Sequence, residues 1–294
     1  MRKQGIARLL AVCAVAFAPL ASALAAAVID DAKQSVTLPA PARRIVSLSP
    51  HTTEMLYAAG AGSYIVGVVE YSDYPPEAKN IASVGSGVAL DLERIMRLKP
   101  DLVVAWSSGN SAVQIKKLRE LGIPVFESEP REFITIATSI ERLAKLAGTE
   151  PIGRAAANAF RAQLQRIQSN YQQRPKVSVF YQIWRTPLMT LNGAHPVSIA
   201  LRMCGAENIF AKLPQLAPVV NTESVLQANP DVIIASSGEQ EEVLAGWLRF
   251  PHLKAVARDN LLLIDGGLMN RSGPRILDAT EMLCKQLDTA RSKR

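Results

Sequence analysis

Cysteine, histidine and aromatic residues are scarce in this 294-residue chain, which has three cysteines, three histidines and 5% aromatic residues. So few cysteines exclude a scaffold built from many disulfides. His51, His195 and His252 are too scattered to indicate a histidine-rich metal site, and we predict no bound metal. No run of lysine or arginine marks a surface for nucleic acid, which is therefore not an expected partner.

Long hydrophobic runs are missing beyond the N-terminus, which excludes a protein that spans the membrane several times. The chain also lacks a Gly-x-Ser-x-Gly elbow, a phosphate-binding loop and a Gly-x-Gly-x-x-Gly motif after a strand. Ser47, His51 and Asp73 could be combined into a triad, but any chain of this length offers such trios. We predict no catalytic residue and no enzymatic activity.

The first 25 residues have the pattern of a secretory signal peptide. Residues 1–8 carry three positive charges and no acid, residues 9–21 are apolar, and Ala23-Leu24-Ala25 supplies a small-x-small cleavage pattern. We predict cleavage after Ala25 and export to the periplasm, with a membrane anchor as the alternative. Removal of this segment, with its three positive charges, lowers the formal net charge from +7 to +4.

Two cysteines, Cys204 and Cys284, remain after the predicted cleavage. In an oxidising compartment two thiols tend to pair, and a disulfide here would tie together two elements of one lobe. Closing a loop of about 80 residues contributes about 4 kcal/mol in the chain-entropy account of disulfide stabilisation. The alternative is a pair of buried free thiols.

Short buried strands alternate with helices of about ten residues, and this alternation is typical of an α/β fold with mostly parallel central sheets flanked by helices. Residues 149–173 interrupt it, because apolar side chains recur there at three- and four-residue steps without a strand signal. Such a segment predicts one helix of about 25 residues, about 37 Å long. The predicted order is a lead-in over 26–42, an N-terminal lobe over 43–148, a connecting helix over 149–174 and a C-terminal lobe over 175–294.

An internal repeat relates the two lobes. Residues 92–105 and residues 222–235 keep a Glu, a Pro-Asp pair and an apolar strand in step at an offset of 130 residues. Each copy places an acid, Glu93 or Glu223, in the first turn of a short helix. One interpretation is complementation of the helix dipole, and the other is a pair of exposed carboxylates offered to a partner with paired cationic sockets. Two lobes around a cleft are suited to enclosing a ligand.

Three stretches carry a family resemblance: Tyr71-Ser72-Asp73-Tyr74-Pro75-Pro76-Glu77-Ala78, residues 92–106, and Cys204-Gly205-Ala206-Glu207-Asn208-Ile209-Phe210. Over residues 43–290 the chain resembles the helical-backbone class of substrate-binding proteins of ABC importers, and within it the corrinoid branch. The resemblance implies little hinge motion and a ligand, cobalamin or a related corrinoid, held between the lobes, with no intrinsic cofactor. It also implies a Cys204–Cys284 disulfide and docking of Glu93 and Glu223 onto arginines of a membrane permease dimer. We expect the free protein to be a monomer.

The ligand-binding residues follow only in part from the resemblance. Tyr71 matches a ligand-stacking tyrosine, Trp184 falls where the family has another contact, and Arg271 matches an arginine of the family. Trp106 stands at the end of a strand facing the cleft, and Pro50, His51 and His195 open helices that could face it. Each histidine could instead cap its helix or bond locally. The chain departs from a better-known relative, which has tryptophan at three positions: Gly87, Ala217 and Leu268.

Other ligands and activities fit the sequence less well. A ferric siderophore or haem in the same fold would need a basic patch or an axial ligand, for which His51 or Tyr71 could serve. A bare metal ion would need three protein ligands that the scattered histidines do not supply. Hydrolysis is the least favoured reading, and loss of ester turnover on mutation of Ser47 or His51 would be its signature.

Overall fold

The computed structural model describes residues 26–237 and 243–293, so the predicted signal peptide lies outside the described residues. The strands are β1 Ala26–Ile29, β2 Ser35–Leu38, β3 Ile45–Ser47, β4 Ile65–Val68, β5 Leu102–Trp106, β6 Val125–Ser128, β7 Val177–Gln182, β8 Ala206–Asn208, β9 Val232–Ser237 and β10 Leu261–Asp265. The helices are α1 Pro50–Ala58, α2 Leu92–Arg97, α3 Ala112–Glu120, α4 Phe133–Ala147, α5 Glu150–Tyr171, α6 Pro196–Met203, α7 Thr222–Ala228, α8 Lys254–Ala257, α9 Gly266–Met269 and α10 Ile276–Ser292.

Two four-stranded parallel sheets form the two lobes. The first has the order β4-β3-β5-β6 and the second the order β8-β7-β9-β10, so each sheet places its first strand between its second and its third. Strands buried on both faces by flanking helices read as near-continuous apolar runs, which is why the sequence revealed them. The identical strand order confirms the predicted α/β fold and extends the 130-residue repeat to a whole lobe.

A β-hairpin occupies the segment predicted as a lead-in. Strands β1 and β2 pair antiparallel, and their side chains alternate between buried and exposed. Arg142 in α4 anchors the hairpin by donating to the Ile29 carbonyl at 2.8 Å and to the Asp31 carboxylate at 2.6 Å. The hairpin therefore covers one side of the first lobe.

Helix α5 connects the lobes. Its 22 residues span about 33 Å, in agreement with the predicted long helix. Thr149 occupies the N-cap position, but its hydroxyl donates to the Ala59 carbonyl at 2.6 Å instead of capping the helix. Gly153 is packed so closely on α4 that an added Cβ would lie 2.2 Å from Ala144 Cβ. The connecting helix is thus packed tightly against the first lobe.

The second lobe contains the predicted disulfide. Cys204, which ends α6, is bonded to Cys284 in α10, and both residues are fully buried. Within residues 26–237 and 243–293, none of the helices is both long and apolar enough to cross a bilayer.

Candidate functional site

The segments that follow the carboxyl ends of the two sheets contact each other. Residues 271–275, which follow β10 and α9, reach across to the first lobe, where Arg275 bonds Glu54 in α1 and Arg271 bonds Asp73 after β4. Because all strands within a sheet are parallel, these contacts bring the two carboxyl edges together. Carboxyl edges are where open α/β sheets place their ligands, which makes this junction the candidate binding site.

Ser49 begins helix α1 at the end of β3. Its side chain accepts a hydrogen bond from the Thr52 amide, and Pro50 occupies the first turn, where its missing N–H costs nothing. Thr52 completes a capping box, because its Oγ1 accepts from the Ser49 amide at 3.2 Å. Thr52 Oγ1 and Thr53 Oγ1 also bond to Ser47 Oγ, at 2.7 and 2.8 Å. The cap fixes the start of the helix and so the position of His51, two residues after Ser49.

His51 is buried behind Trp106. Its Nδ1 lies 2.9 Å from Ser49 Oγ, and its ring meets the Trp106 ring edge to face, with centroids 5.4 Å apart. Burial, with a smaller contribution from the positive charge of Arg271, lowers the pKa of His51 to about 4. At neutral pH the His51 imidazole is therefore uncharged, and it packs against the Trp106 indole.

Trp106 ends β5 and remains 38% exposed. Its amide donates to Asn110 Oδ1 at 2.7 Å, and the Asn110 side-chain amide donates to the carbonyls of Leu48 and Gly87. Gly109 lies under the indole, where an added Cβ would be 1.8 Å from Trp106 Cε3. The loop thus presents one face of a flat aromatic ring at the carboxyl edge of the first sheet.

Tyr71 is a second exposed aromatic residue of the first lobe at this junction, and Tyr74 is exposed as well. It adopts a left-handed conformation with φ of 63° and leaves 78% of its surface exposed. Arg271 donates to the Tyr71 carbonyl at 3.2 Å and to Asp73 Oδ1 at 2.7 Å. That hydrogen bond, opposed in part by desolvation, lowers the pKa of Asp73.

Trp184 and His195 lie in the second lobe. Trp184 follows β7, is exposed, and donates from its indole nitrogen to the Thr186 carbonyl at 2.9 Å. His195 is the N-cap of α6, with Nδ1 accepting from the Val197 amide at 3.2 Å, and burial lowers its pKa to about 4. The local capping that the sequence left open for His195 is therefore present.

The structure brings together one subset of the predicted ligand-binding residues: Pro50, His51, Tyr71, Trp106 and Arg271. Among the described residues, neither Trp184 nor His195 makes a ring contact or hydrogen bond with that subset. Glu54 and Arg275, which bond across the lobes, were not among the predicted site residues. They are 221 residues apart, so no local pattern could reveal them. Within the described ranges no cluster of metal-ligating side chains is present.

Glu93 and Glu223 occupy equivalent places in the two lobes. Each follows the first residue of a short helix that is capped by the side chain before it, Asp91 for α2 and Asn221 for α7. Both acids are exposed, and the Glu93 side chain is 85% exposed and lies 3.9 Å from Arg97. Two equivalent carboxylates are therefore available to a partner.

The three residues that stand where a known relative has tryptophan lie in different surroundings. Gly87 lies beside Asn110 and Leu48, where an added Cβ would meet nothing closer than 3.6 Å, so this side of the Trp106 loop is open. Ala217 is exposed. Leu268 in α9 instead packs against the main hydrophobic core. At this position the chain therefore has an aliphatic side chain that packs on the core, where the relative has a tryptophan.

Comparison with known proteins gives consistent results. A vitamin B12-binding protein of Vibrio campbellii is 38% identical over 256 residues, covering 86% of this chain and 92% of that protein. The crystal structure of the periplasmic vitamin B12-binding protein of Vibrio cholerae has a TM-score of 0.78 at 38% identity and covers 85% of this chain and 98% of that one.

A periplasmic heme-binding protein of Roseiflexus sp. RS-1 shares the fold alone, with a TM-score of 0.75 at 24% identity over 84% of this chain and 98% of that one. The sequence profile described as "Periplasmic binding protein" matches residues 45–266. Together with the shared two-lobe architecture, these matches confirm the resemblance seen in the motifs. This chain belongs to the periplasmic binding protein family.

Proposed function

We propose that this chain is a periplasmic substrate-binding protein that captures cobalamin or a related corrinoid between its lobes and delivers it to an ABC importer. The observation that carries the proposal is the 38% identity, over 86% of the chain, to a relative named for vitamin B12 binding. Exposed aromatic rings at the junction of the lobes agree with it, because a corrin is a broad, mostly flat ring edged with amides.

The junction offers both kinds of group that a corrin needs. The exposed ring faces of Trp106 and Tyr71 supply apolar surface, and Arg271 supplies N–H donors for amide oxygens. Trp184 would add apolar surface from the second lobe. His51 acts behind Trp106, since its ring is buried and Nδ1 is bonded to Ser49.

Delivery depends on the outer surface of the two lobes. Glu93 and Glu223 are exposed in helices related by the internal repeat, and we assign them to paired arginines on a two-subunit permease. The protein carries its ligand without chemical change, as a monomer when free, and requires no cofactor of its own.

Calorimetry with four ligands tests the proposal on residues 26–294. Cyanocobalamin and cobinamide should each bind with saturable 1:1 stoichiometry, whereas haemin and a ferric hydroxamate should give no specific heat. Binding of haemin or the hydroxamate without binding of either corrinoid would assign the fold to another ligand. Because His51 is buried and bonded to Ser49, it is poorly placed as an axial ligand for haem iron.

A further inference from the structure

Charged side chains link the two lobes at the candidate site. Arg275, just before α10, donates from Nε and Nη2 to the two carboxylate oxygens of Glu54 in α1, at 3.0 and 2.6 Å. Arg271 donates to Asp73 at 2.7 Å and to the Tyr71 carbonyl at 3.2 Å. We call these five residues the interlobe brace.

The brace is buried at its Glu54 end. The Glu54 side chain is only 3% exposed, and Arg271 Nη1 lies 3.6 Å from it in addition to the two bonds from Arg275. A carboxylate this buried requires paired, hydrogen-bonded cations, and both of its cations come from the other lobe. At Gly273 the backbone itself meets α1, since an added Cβ would lie 3.2 Å from Glu54 Oε2.

The other end of the brace controls Tyr71. Most of the Tyr71 surface is exposed, so side-chain packing does little to fix the orientation of its ring. Its backbone has the left-handed conformation, which is unfavourable for a tyrosine and needs surrounding contacts to hold it. One such contact is the hydrogen bond from Arg271 in the second lobe, and Asp73 orients that guanidinium.

We propose that Glu54 and Asp73 are positioning residues that hold Arg271 and Tyr71 in the ligand-binding geometry before a ligand arrives. The inference rests on the proposed function for the identity of the ligand. Neither carboxylate needs to touch the corrinoid. Because these side chains are already ordered before binding, the ligand does not have to fix them, and the entropy cost of binding is smaller. Loss of the brace therefore appears as a loss of affinity.

The first test is a double-mutant cycle on cyanocobalamin affinity with Asp73→Asn and Tyr71→Ala. Asp73 is partly exposed and Asn keeps its size, so the variant folds; its affinity should fall about fivefold, the upper range for a partly exposed ion pair. In the Tyr71→Ala background the same change should cost less affinity, because the side chain that the brace positions is then absent and only the effect through Arg271 remains. Asp73→Glu should restore part of the affinity.

Glu281→Gln is the matched control. It removes the same charge and breaks the 3.0 Å pair between Arg166 of α5 and Glu281 of α10, away from the brace. Its affinity should equal that of the parent protein. The positioning role would be overturned if Asp73→Asn lowered cyanocobalamin affinity equally in the parent protein and in the Tyr71→Ala variant, or if it did not lower the affinity at all.

A measurement on the ligand-free protein separates this inference from the proposed function. Spin labels at Val113→Cys and Met282→Cys, exposed positions in different lobes, report the interlobe distance. Asp73→Asn and Glu54→Gln should broaden the distance distribution, and Glu281→Gln should not. An unchanged distribution in both brace variants overturns the inference even if cyanocobalamin binds, and failure of cyanocobalamin to bind leaves this measurement intact.

Discussion

His51 illustrates how burial changes the chemistry of a single residue. Its pKa is lowered from 6.5 to about 4, and so is that of His195. As the pH falls below 6.5, both rings become charged in the unfolded chain but stay neutral in the folded protein. Between pH 6.5 and about 4 the unfolded state binds more protons, and the free energy of unfolding falls as pH falls.

We therefore expect the protein to be less stable at pH 5 than at pH 7, with His51 alone contributing about 2 kcal/mol to the difference. Urea unfolding at the two pH values measures this, and His51→Asn should reduce the difference. His252→Asn, at an exposed position, serves as the control. A difference unchanged by His51→Asn would contradict the assignment.

Trp106→Ala should weaken cyanocobalamin binding by about 1–3 kcal/mol, because the protein loses a flat apolar surface against which the ligand packs. Titration calorimetry measures the change. Val113→Ala, an exposed apolar residue of α3, should leave affinity unaltered. An affinity equal to that of the parent protein would remove Trp106 from the site.

Individual residues could be predicted from the sequence where a local pattern or a family motif marked them. Trp106 stood out because it ends an apolar strand. Its contact with His51, 55 positions earlier, and the bond between Glu54 and Arg275 could not be predicted, since they depend on how separate elements pack. The exposed aromatic was visible in the sequence, whereas the groups that support it were not.

At the scale of elements, the contact between α4 and α5 depends on a missing side chain. Gly153→Ala would stabilise an isolated helix by about 1 kcal/mol. Here the new methyl would lie 2.2 Å from Ala144 Cβ, so we expect destabilisation of about 1–3 kcal/mol by overpacking.

Urea unfolding of Gly153→Ala measures this effect, and Ala144→Gly supplies the compensating space. In the Ala144→Gly background Gly153→Ala should become neutral or stabilising, a reversal that propensity alone does not produce. Ala155→Gly, on the exposed face of α5, gives the effect of propensity without packing. Stabilisation by Gly153→Ala in the parent protein would show that the helices separate without cost.

Most helices and the longer strands could be predicted because caps, breakers and apolar runs are local signals. The hairpin of β1 and β2 could not, since four-residue strands carry little pattern and Arg142, which anchors them, lies more than a hundred positions away. The three-residue strand β8 was missed for the same reason.

For the whole molecule, the prediction concerns transport. Changing Glu93 and Glu223 together to Lys should leave cyanocobalamin affinity unchanged but abolish uptake, because both docking charges become repulsive. Uptake of labelled cyanocobalamin by cells carrying the variant, beside calorimetry on the purified protein, separates the two steps. Glu120→Lys, an acid at the end of α3, is the control, and normal transport by the double variant would exclude docking through these acids.

The disulfide has a consequence for how the protein matures. Cys204 and Cys284 are the only cysteines after residue 25, so just one intramolecular pairing exists and mispairing cannot occur. Since Cys284 lies in α10, the bond can close only after about 80 further residues have reached the oxidising compartment. Formation of this bond thus needs a thiol oxidant but no enzyme that reshuffles disulfides, and the first lobe contains no cysteine to be oxidised.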